Sequence, residues 1–498
     1  MNIAVTPDTL DAPLLGKLNR YLSAVDRKAV AILGERLITA AGGIDALPAY
    51  KLMVAYGGGK DSSYTVALIR AVQLHLSVLH GQTFQLRIAN MRHAGVPDAV
   101  MANIDRVYQA LHLYNDARVE VLVVDHQHIR PFQRHLPFPD AVRDINRFDV
   151  LMNGHRTAGD GRPTFCNSCN LAVADFYGRA AWWQGGVNAV VTGDSRKEQK
   201  HYFTWIMRLA ERLGLDVAAC RREGFRGLLQ ALDGVAQHYF IELFGEGFDQ
   251  QRAERRVASG STSADPEFIS IYDLVSYRVD DHWQLITELL DFRFEELAFS
   301  FTESDCANPM LMAHFRGLKA QYVQGRDYHQ GIDEYLELAQ ALMRKKEMPE
   351  RLIQLALAPY AGGEGKDARR ALANDFARQA FGLEETQLIC LQFAPFVDQG
   401  RALSRFITLC HPARLGDLQA LHQVLAGNTE HGALSLWLSE VSGLPLSALR
   451  SLYRHALIDF DSDASLIARV RAGDPHKGRI ARIDPASGVE VVELVSGR

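Results

Sequence analysis

The 498-residue chain has little cysteine for its length. Six cysteines make no disulfide framework, and a reducing compartment is expected. No uncharged apolar run reaches the roughly 18 residues that a spanning helix needs, so contact with a membrane is not expected. The opening MNIAVTPDTLDAPLL lacks a basic segment followed by an apolar one, so no secretory signal is read there. Charge of one sign is also missing: 54 Lys and Arg stand against 59 Asp and Glu, a net charge of -5. That balance leaves no electrostatic footprint for nucleic acid. A cytoplasmic protein is expected.

What is present is material for a large core, with 47% apolar residues, and a length that predicts two or three domains. Leucines and valines at helical spacing over 10–41 predict N-terminal helices. Four β-prone runs follow: YKLMVAY (50–56), FQLRIANM (84–91), RVEVLVV (118–124) and VNAVVTG (187–193). Helical stretches at about 62–79, 98–114, 170–185 and 196–213 alternate with them. Strands alternating with helices predict βαβ units and a parallel sheet, whose ligands bind beyond the carboxyl ends of the strands. ASGSTSADPE (258–267) reads as a loop. Beyond about 310, amphipathic runs such as GIDEYLELAQALMRKK and LGDLQALHQVLAG predict a mostly helical region without a repeat period, and the tail predicts a hairpin around DPASG. The expected division is 1–48 for N-terminal helices, 49–310 for the sheet domain and 311–498 for a mostly helical domain.

The first predicted strand runs into GGGKDS (57–62). A Walker A loop requires glycine at 54 and serine or threonine at 61, where Val54 and Asp61 stand. The dinucleotide fingerprint requires glycine at 62, which is Ser62. The physics of phosphate capture is nonetheless present. Glycines let backbone N–H groups approach an anion, and the following helix offers its unbonded donors and positive dipole end. Lys60 adds a charge, and Ser62 or Ser63 a hydroxyl.

GGGKDS resembles the SGGxDS loop of the PP-loop ATP pyrophosphatases, the adenine nucleotide alpha-hydrolase-like superfamily. Five of six positions match, and Gly57 stands where the family has its first serine. The resemblance implies an α/β fold with a parallel, doubly wound sheet. It also implies an enzyme that cleaves ATP between the α and β phosphates with Mg²⁺. Gly57, Gly58, Gly59, Lys60, Asp61 and Ser62 would hold the phosphates, with Lys60, Asp61 and Ser62 as the catalytic group. Asn90, at the end of the second strand, would border adenine. Gly193 and Asp194, after the fourth, would contact nucleotide or Mg²⁺, Asp194 otherwise reading as a helix N-cap. Lys197 and Lys200 read as a solvated helix face or as phosphate contacts.

A second motif, RPTFCNSCN (162–170), places Cys166 and Cys169 at the start of a predicted helix. Thiolates at this spacing suit Zn²⁺ or part of an iron–sulfur cluster, with a persulfide role or plain burial as alternatives. The arrangement is similar to two groups within the superfamily, the N-acetyl sugar amidotransferases and the tRNA cytidine 2-thiolating enzymes. By that resemblance Cys306 is the third ligand. The cluster DHQHIRPFQRH (125–135) brings His126 and His128 together without a clear carboxylate set and reads as a strand end rather than a metal site.

These readings imply ATP-dependent adenylation of a carbonyl or carboxyl oxygen on a small-molecule substrate, followed by displacement of AMP by a nitrogen nucleophile. The alternative is sulfur transfer, to tRNA or a small molecule, through the cysteines. No glutaminase segment is evident, so ammonia or sulfur would come from a partner protein or from solution.

Overall fold

The apolar runs become strands buried on both faces, as a parallel sheet requires. They are β1 (Lys51–Ala55), β2 (Gln85–Met91), β3 (Val119–Asp125) and β5 (Ala189–Thr192). Two more strands lie where no run predicted them: β4 (His128–Pro131) and β6 (Glu267–Ile269). The computed structural model describes residues 8–498 except 195, 246, 257–264, 277, 295–307, 346, 474–476, 485–486 and 497–498. Cys306 and most of the 258–267 segment therefore lie outside the described residues.

The six-stranded sheet has the order β4-β3-β2-β1-β5-β6. Every pairing is parallel except β3 with β4, which are antiparallel. The chain steps outward from β1 to β3, then returns across the sheet to place β5 on the other side of β1. The winding direction thus reverses between β1 and β5, and such a reversal leaves a crevice at the carboxyl ends of the two strands. This is the doubly wound α/β arrangement expected from the sequence.

Side chains alternate across β1, with Leu52 and Val54 in one apolar core and Met53 and Ala55 in the other. The first core holds α1 (Asp8–Tyr21), α2 (Ala24–Ala41), α3 (Lys60–His80) and α4 (Asp98–Ala110). The second holds α5 (Asp140–Arg156), α6 (Ser168–Trp182), α7 (Arg196–Arg212) and, after the short α8 (Val217–Arg222), α9 (Gly224–Phe244). Helices between Pro309 and Ala472 continue that second core outward. At one crossing, a Cβ on Gly154 of α5 would lie 2.9 Å from Leu391, so glycine sets the closeness of the two helices. The tail forms the expected hairpin, β7 (Lys477–Ile483) against β8 (Glu490–Ser496). No helix among the described residues is long and apolar enough to cross a membrane.

The N-terminal helices fix α3, and α3 carries the glycine turn. Ser23 and Asp26 form a reciprocal cap on α2. The same Asp26 carboxylate accepts the Tyr64 hydroxyl of α3 at 2.8 Å. Farther along, Arg70 of α3 donates to Asp116 at 2.8 Å. Arg118 joins Asp116 at 2.6 Å and Asp11 of α1 at 2.9 Å. Burial pushes the Asp116 carboxyl up, but the hydrogen bonds from Arg118 and the Arg70 charge outweigh it and hold it well below the usual range.

Asp116→Ala leaves Arg70 buried without that carboxylate and should destabilise the fold by about 3–5 kcal/mol near neutral pH. A depressed carboxyl pKa contributes stability that is complete above the unfolded value of about 3.9 and is lost as pH falls through the folded value. The gap between wild type and variant in urea midpoint should therefore shrink in acid below about pH 4. A gap that stays constant from neutral pH into acid would refute the linkage.

Candidate functional site

The glycine turn leaves β1 at its carboxyl end, and each residue in it has a distinct constraint. Gly57 is exposed. Gly58 holds φ +83, in the left-handed region, and a Cβ there would meet Val100 of α4 at 2.6 Å. Gly59 is the N-cap of α3 and gives the helix no side-chain acceptor. The helix donors therefore begin without the usual serine or aspartate cap, and a cap of that kind would compete with an anion for them.

Two buried clamps hold the turn. The Tyr56 hydroxyl lies 2.8 Å from Ser63 Oγ, which in turn donates to the Gly59 carbonyl at 2.8 Å. Asn90 donates from Nδ2 to the Tyr56 carbonyl at 2.6 Å and accepts the Tyr108 hydroxyl on Oδ1. Asn90 is 1% exposed, so its side chain acts on the turn from beneath. Ser63 is likewise committed inward, whereas Ser62 is half-buried and bonds the Gly59 carbonyl at 3.1 Å. Lys60 Nζ lies 2.5 Å from Asp61 Oδ2, and both side chains are partly exposed. Their charges are mutually compensated at the mouth of the turn.

The fourth expected strand end arrives at the same place. Gly193 follows β5, and a Cβ on it would lie 3.0 Å from Ser62 Cα and 3.2 Å from Ser62 N. Backbone therefore meets backbone across the reversal point, and the two glycine-bearing ends sit side by side. Asp194 is exposed just beyond, and its charge, added to burial, raises the hydroxyl pKa of both Tyr177 and Tyr202. Gln199 holds this end in place, donating to Thr192 Oγ1 at 3.0 Å and to the Asp194 carbonyl at 3.2 Å. Lys197 and Lys200 on α7 are exposed.

The cysteine pair is divided between two environments. A π turn over Pro163–Asn167 precedes α6. A π turn winds wider than an α turn, so a three-residue step no longer returns to the same face. Cys166, fully buried, joins the apolar core. Cys169, 6% exposed, lines a cavity instead. Among the described residues, no three His, Cys, Asp or Glu side chains are grouped so that they could hold a metal ion. The expected third ligand, Cys306, lies outside the described residues.

The cavity has a volume of about 40 Å³ and lies beyond the carboxyl ends of β2 and β3. Its polar wall is Arg92, His93, His126, Asn146, Cys169 and Asp175. His126 and His128 do not act together, because His126 faces the cavity while His128 is exposed on β4. Burial pushes the imidazoles of His93 and His126 down to about 4, helped at His126 by the charges of Arg255 and Arg179. Both rings are neutral at physiological pH. His93 carried no motif, and its only signal in the sequence is its place just past a predicted strand.

Tyr202 of α7, the helix that follows Asp194, donates its hydroxyl to the carbonyl of Asn170, the residue after Cys169, at 3.3 Å. The chain matches no known protein-family model, no curated protein and no solved structure.

Two glycine substitutions test the site's geometry. Gly58→Ala should destabilise by about 1–3 kcal/mol, from left-handed strain together with the clash on α4. Adding Val100→Ala should recover the steric share and leave the backbone share, which a double-mutant cycle of denaturation midpoints measures. Gly193→Ala should push β5 away from the first turn of α3 and lower the melting temperature. Unchanged melting temperatures in both single variants would contradict the close approaches.

Proposed function

We propose that the chain is an ATP-dependent adenylating enzyme of the PP-loop type, acting on a carbonyl or carboxyl oxygen of a small molecule. The observation that carries this reading is the backbone approach of Gly193 to Ser62 at the reversal point of the sheet. It sets an uncapped helix N-terminus, Lys60, the Ser62 hydroxyl and Asp194 around one crevice. Glycines at 57, 58 and 59 keep side chains out of the space where phosphates would lie.

The chemistry follows from that arrangement. The substrate oxygen attacks the α phosphorus, the bond to the bridging oxygen breaks, and pyrophosphate leaves with its electron pair. The N-terminal donors of α3, Lys60 and Ser62 take up the charge growing on the β and γ phosphates. The Lys60–Asp61 pair opens when phosphate arrives, Lys60 turning to the anion. Bound Mg²⁺ would offset phosphate charge, with Asp194 as its carboxylate. In the second step the nitrogen lone pair attacks the adenylated carbon, AMP departs with the carbon–oxygen electron pair, and the nitrogen sheds its proton to solvent. The active groups here position and stabilise rather than form covalent bonds to substrate.

A sulfur-transfer reading rests on one observation, the placement of Cys169 at a cavity beside the same sheet edge. Cys166, its expected companion, is fully buried and offers no open face to an incoming sulfur donor, and that burial favours nitrogen.

The nucleotide product decides the reading. Turnover should give AMP and pyrophosphate, and ADP with phosphate would overturn it. Lys60→Ala and Ser62→Ala should each lose about 2–4 kcal/mol of transition-state stabilisation, read as kcat/KM, by analogy with loss of one oxyanion donor. Wild-type rates in both variants would remove these residues from the site.

A further inference from the structure

We propose that the cavity beyond β2 and β3 binds the carboxylate of a small organic acid, its oxygens held by Asn146 Nδ2 and His93 Nε2. The proposal deepens the adenylation reading, since it makes the activated oxygen that of a carboxylate, and rests on that reading for the acid's fate alone.

Two buried donors carry the inference. Past β2 the chain turns through 93–96, where the Val96 N–H bonds the His93 carbonyl at 2.9 Å. Two backbone amides of this turn orient side chains of the cavity. Ala94 donates its N–H to Asn146 Oδ1 at 3.0 Å. A backbone N–H only donates, so the atom it meets is the amide oxygen, and the Asn146 NH₂ keeps its protons for another partner. Gly95 donates its N–H to His93 Nδ1 at 3.2 Å. Burial pushes the His93 imidazole down to about 4, so the ring is neutral at physiological pH and its one proton sits on Nε2. Both side chains line the cavity, and each is only 9% exposed. Among the described residues, neither Asn146 Nδ2 nor His93 Nε2 has a hydrogen-bond partner. Buried donors are nearly always satisfied, so two on the wall of one cavity point to a ligand that accepts.

Charge and shape select that ligand. Arg92 and Arg130 both hold the Asp125 carboxylate, Arg92 at 2.7 Å. One carboxylate answers two guanidinium groups, so this wall keeps positive charge in excess. Asp175, the carboxylate on the wall, is paired with Arg179 at 2.6 Å. His126 also lines the cavity, but its Nε2 is buried and gives a ligand no accessible surface. A cation would therefore meet donors and like charge, whereas an anion meets donors and opposite charge. The volume of about 40 Å³ holds about three waters, roughly the size of acetate. Met91, Val124, Val142 and Phe176 make the rest of the lining apolar. Sulfate or phosphate would press oxygens against that apolar surface without donors, but a carboxylate places carbon there. Ala172 lines the cavity yet is exposed, and it marks the mouth.

The test uses the full chain and sodium acetate, read by saturation transfer from the protein to the acetate methyl protons. Wild type should give a saturable signal that sodium chloride at equal ionic strength does not remove. Acetamide has the same shape without the charge and should bind about tenfold more weakly or worse. Asn146→Asp keeps an oxygen for the Ala94 N–H but sets a carboxylate against the ligand, so the acetate signal should be lost. Ala172→Phe plugs the mouth from an exposed position and should lose the signal with an unchanged melting temperature, which guards against misfolding of the first variant. The site falls if acetate gives no saturable signal, if chloride removes it, if acetamide binds equally well, or if both variants bind acetate as wild type does. Acetate binding lost in both variants, with no acid eliciting AMP from wild type, would overturn the adenylation reading and leave the carboxylate site. AMP and pyrophosphate formed at wild-type rates in both variants, with acetate silent, would overturn the site alone.

Discussion

The approach of Gly193 to the backbone of Ser62 is the constraint on which the candidate site depends. Two parallel strands wound in opposite directions always leave a crevice, but its depth depends on side chains at the strand ends. Here both ends are glycine, so β5 closes on the first turn of α3. The same absence of side chains leaves N–H groups as the wall of the crevice. Under the proposed function, packing and anion capture are served by the same residues, so neither glycine could change without affecting both.

The turn is held from beneath by polar groups buried in the first core. Tyr56, Ser63, Asn90 and Tyr108 satisfy one another and the turn's carbonyls. A network of this kind is stabilising only when every member is satisfied, and a missing partner leaves a desolvated group. It therefore fixes one conformation of a segment that glycine would otherwise leave loose. The N-terminal helices extend this restraint, since Asp26 reaches Tyr64 and Asp11 reaches Arg118. What looks like a separate leading segment in the sequence works as the outer support of α3.

Much of the sheet was legible because strands buried on both faces write continuous apolar runs, and β1, β2, β3 and β5 did so. β4 and β6 were not, because His128–Pro131 and Glu267–Ile269 are edge strands too short to write an apolar run. Helix α5 was missed for a different reason. Its sequence looks polar, yet Asn146, Asp149, Asn153 and Arg156 are buried. Their partners come from far along the chain: Arg255 meets Asp149 at 2.5 Å, and Tyr239 bonds Asn153. Local periodicity carries no trace of such partners. The glycine turn was legible as a strand-to-helix turn, but its meeting with Gly193 was visible only through the strand order. The alternation of His126 and His128 was legible, whereas the left-handed turn that separates them was not.

The π turn before α6 is the last link between fold and chemistry. An unbroken α-helix through Cys166 and Cys169 would present both thiols to one neighbourhood, as a shared ligand or a redox pair needs. The wider turn sends Cys166 into the apolar core and leaves Cys169 at the sheet edge. Cys166 shares its core with the helices beyond Pro309, and Cys169 borders the cavity beyond β2 and β3.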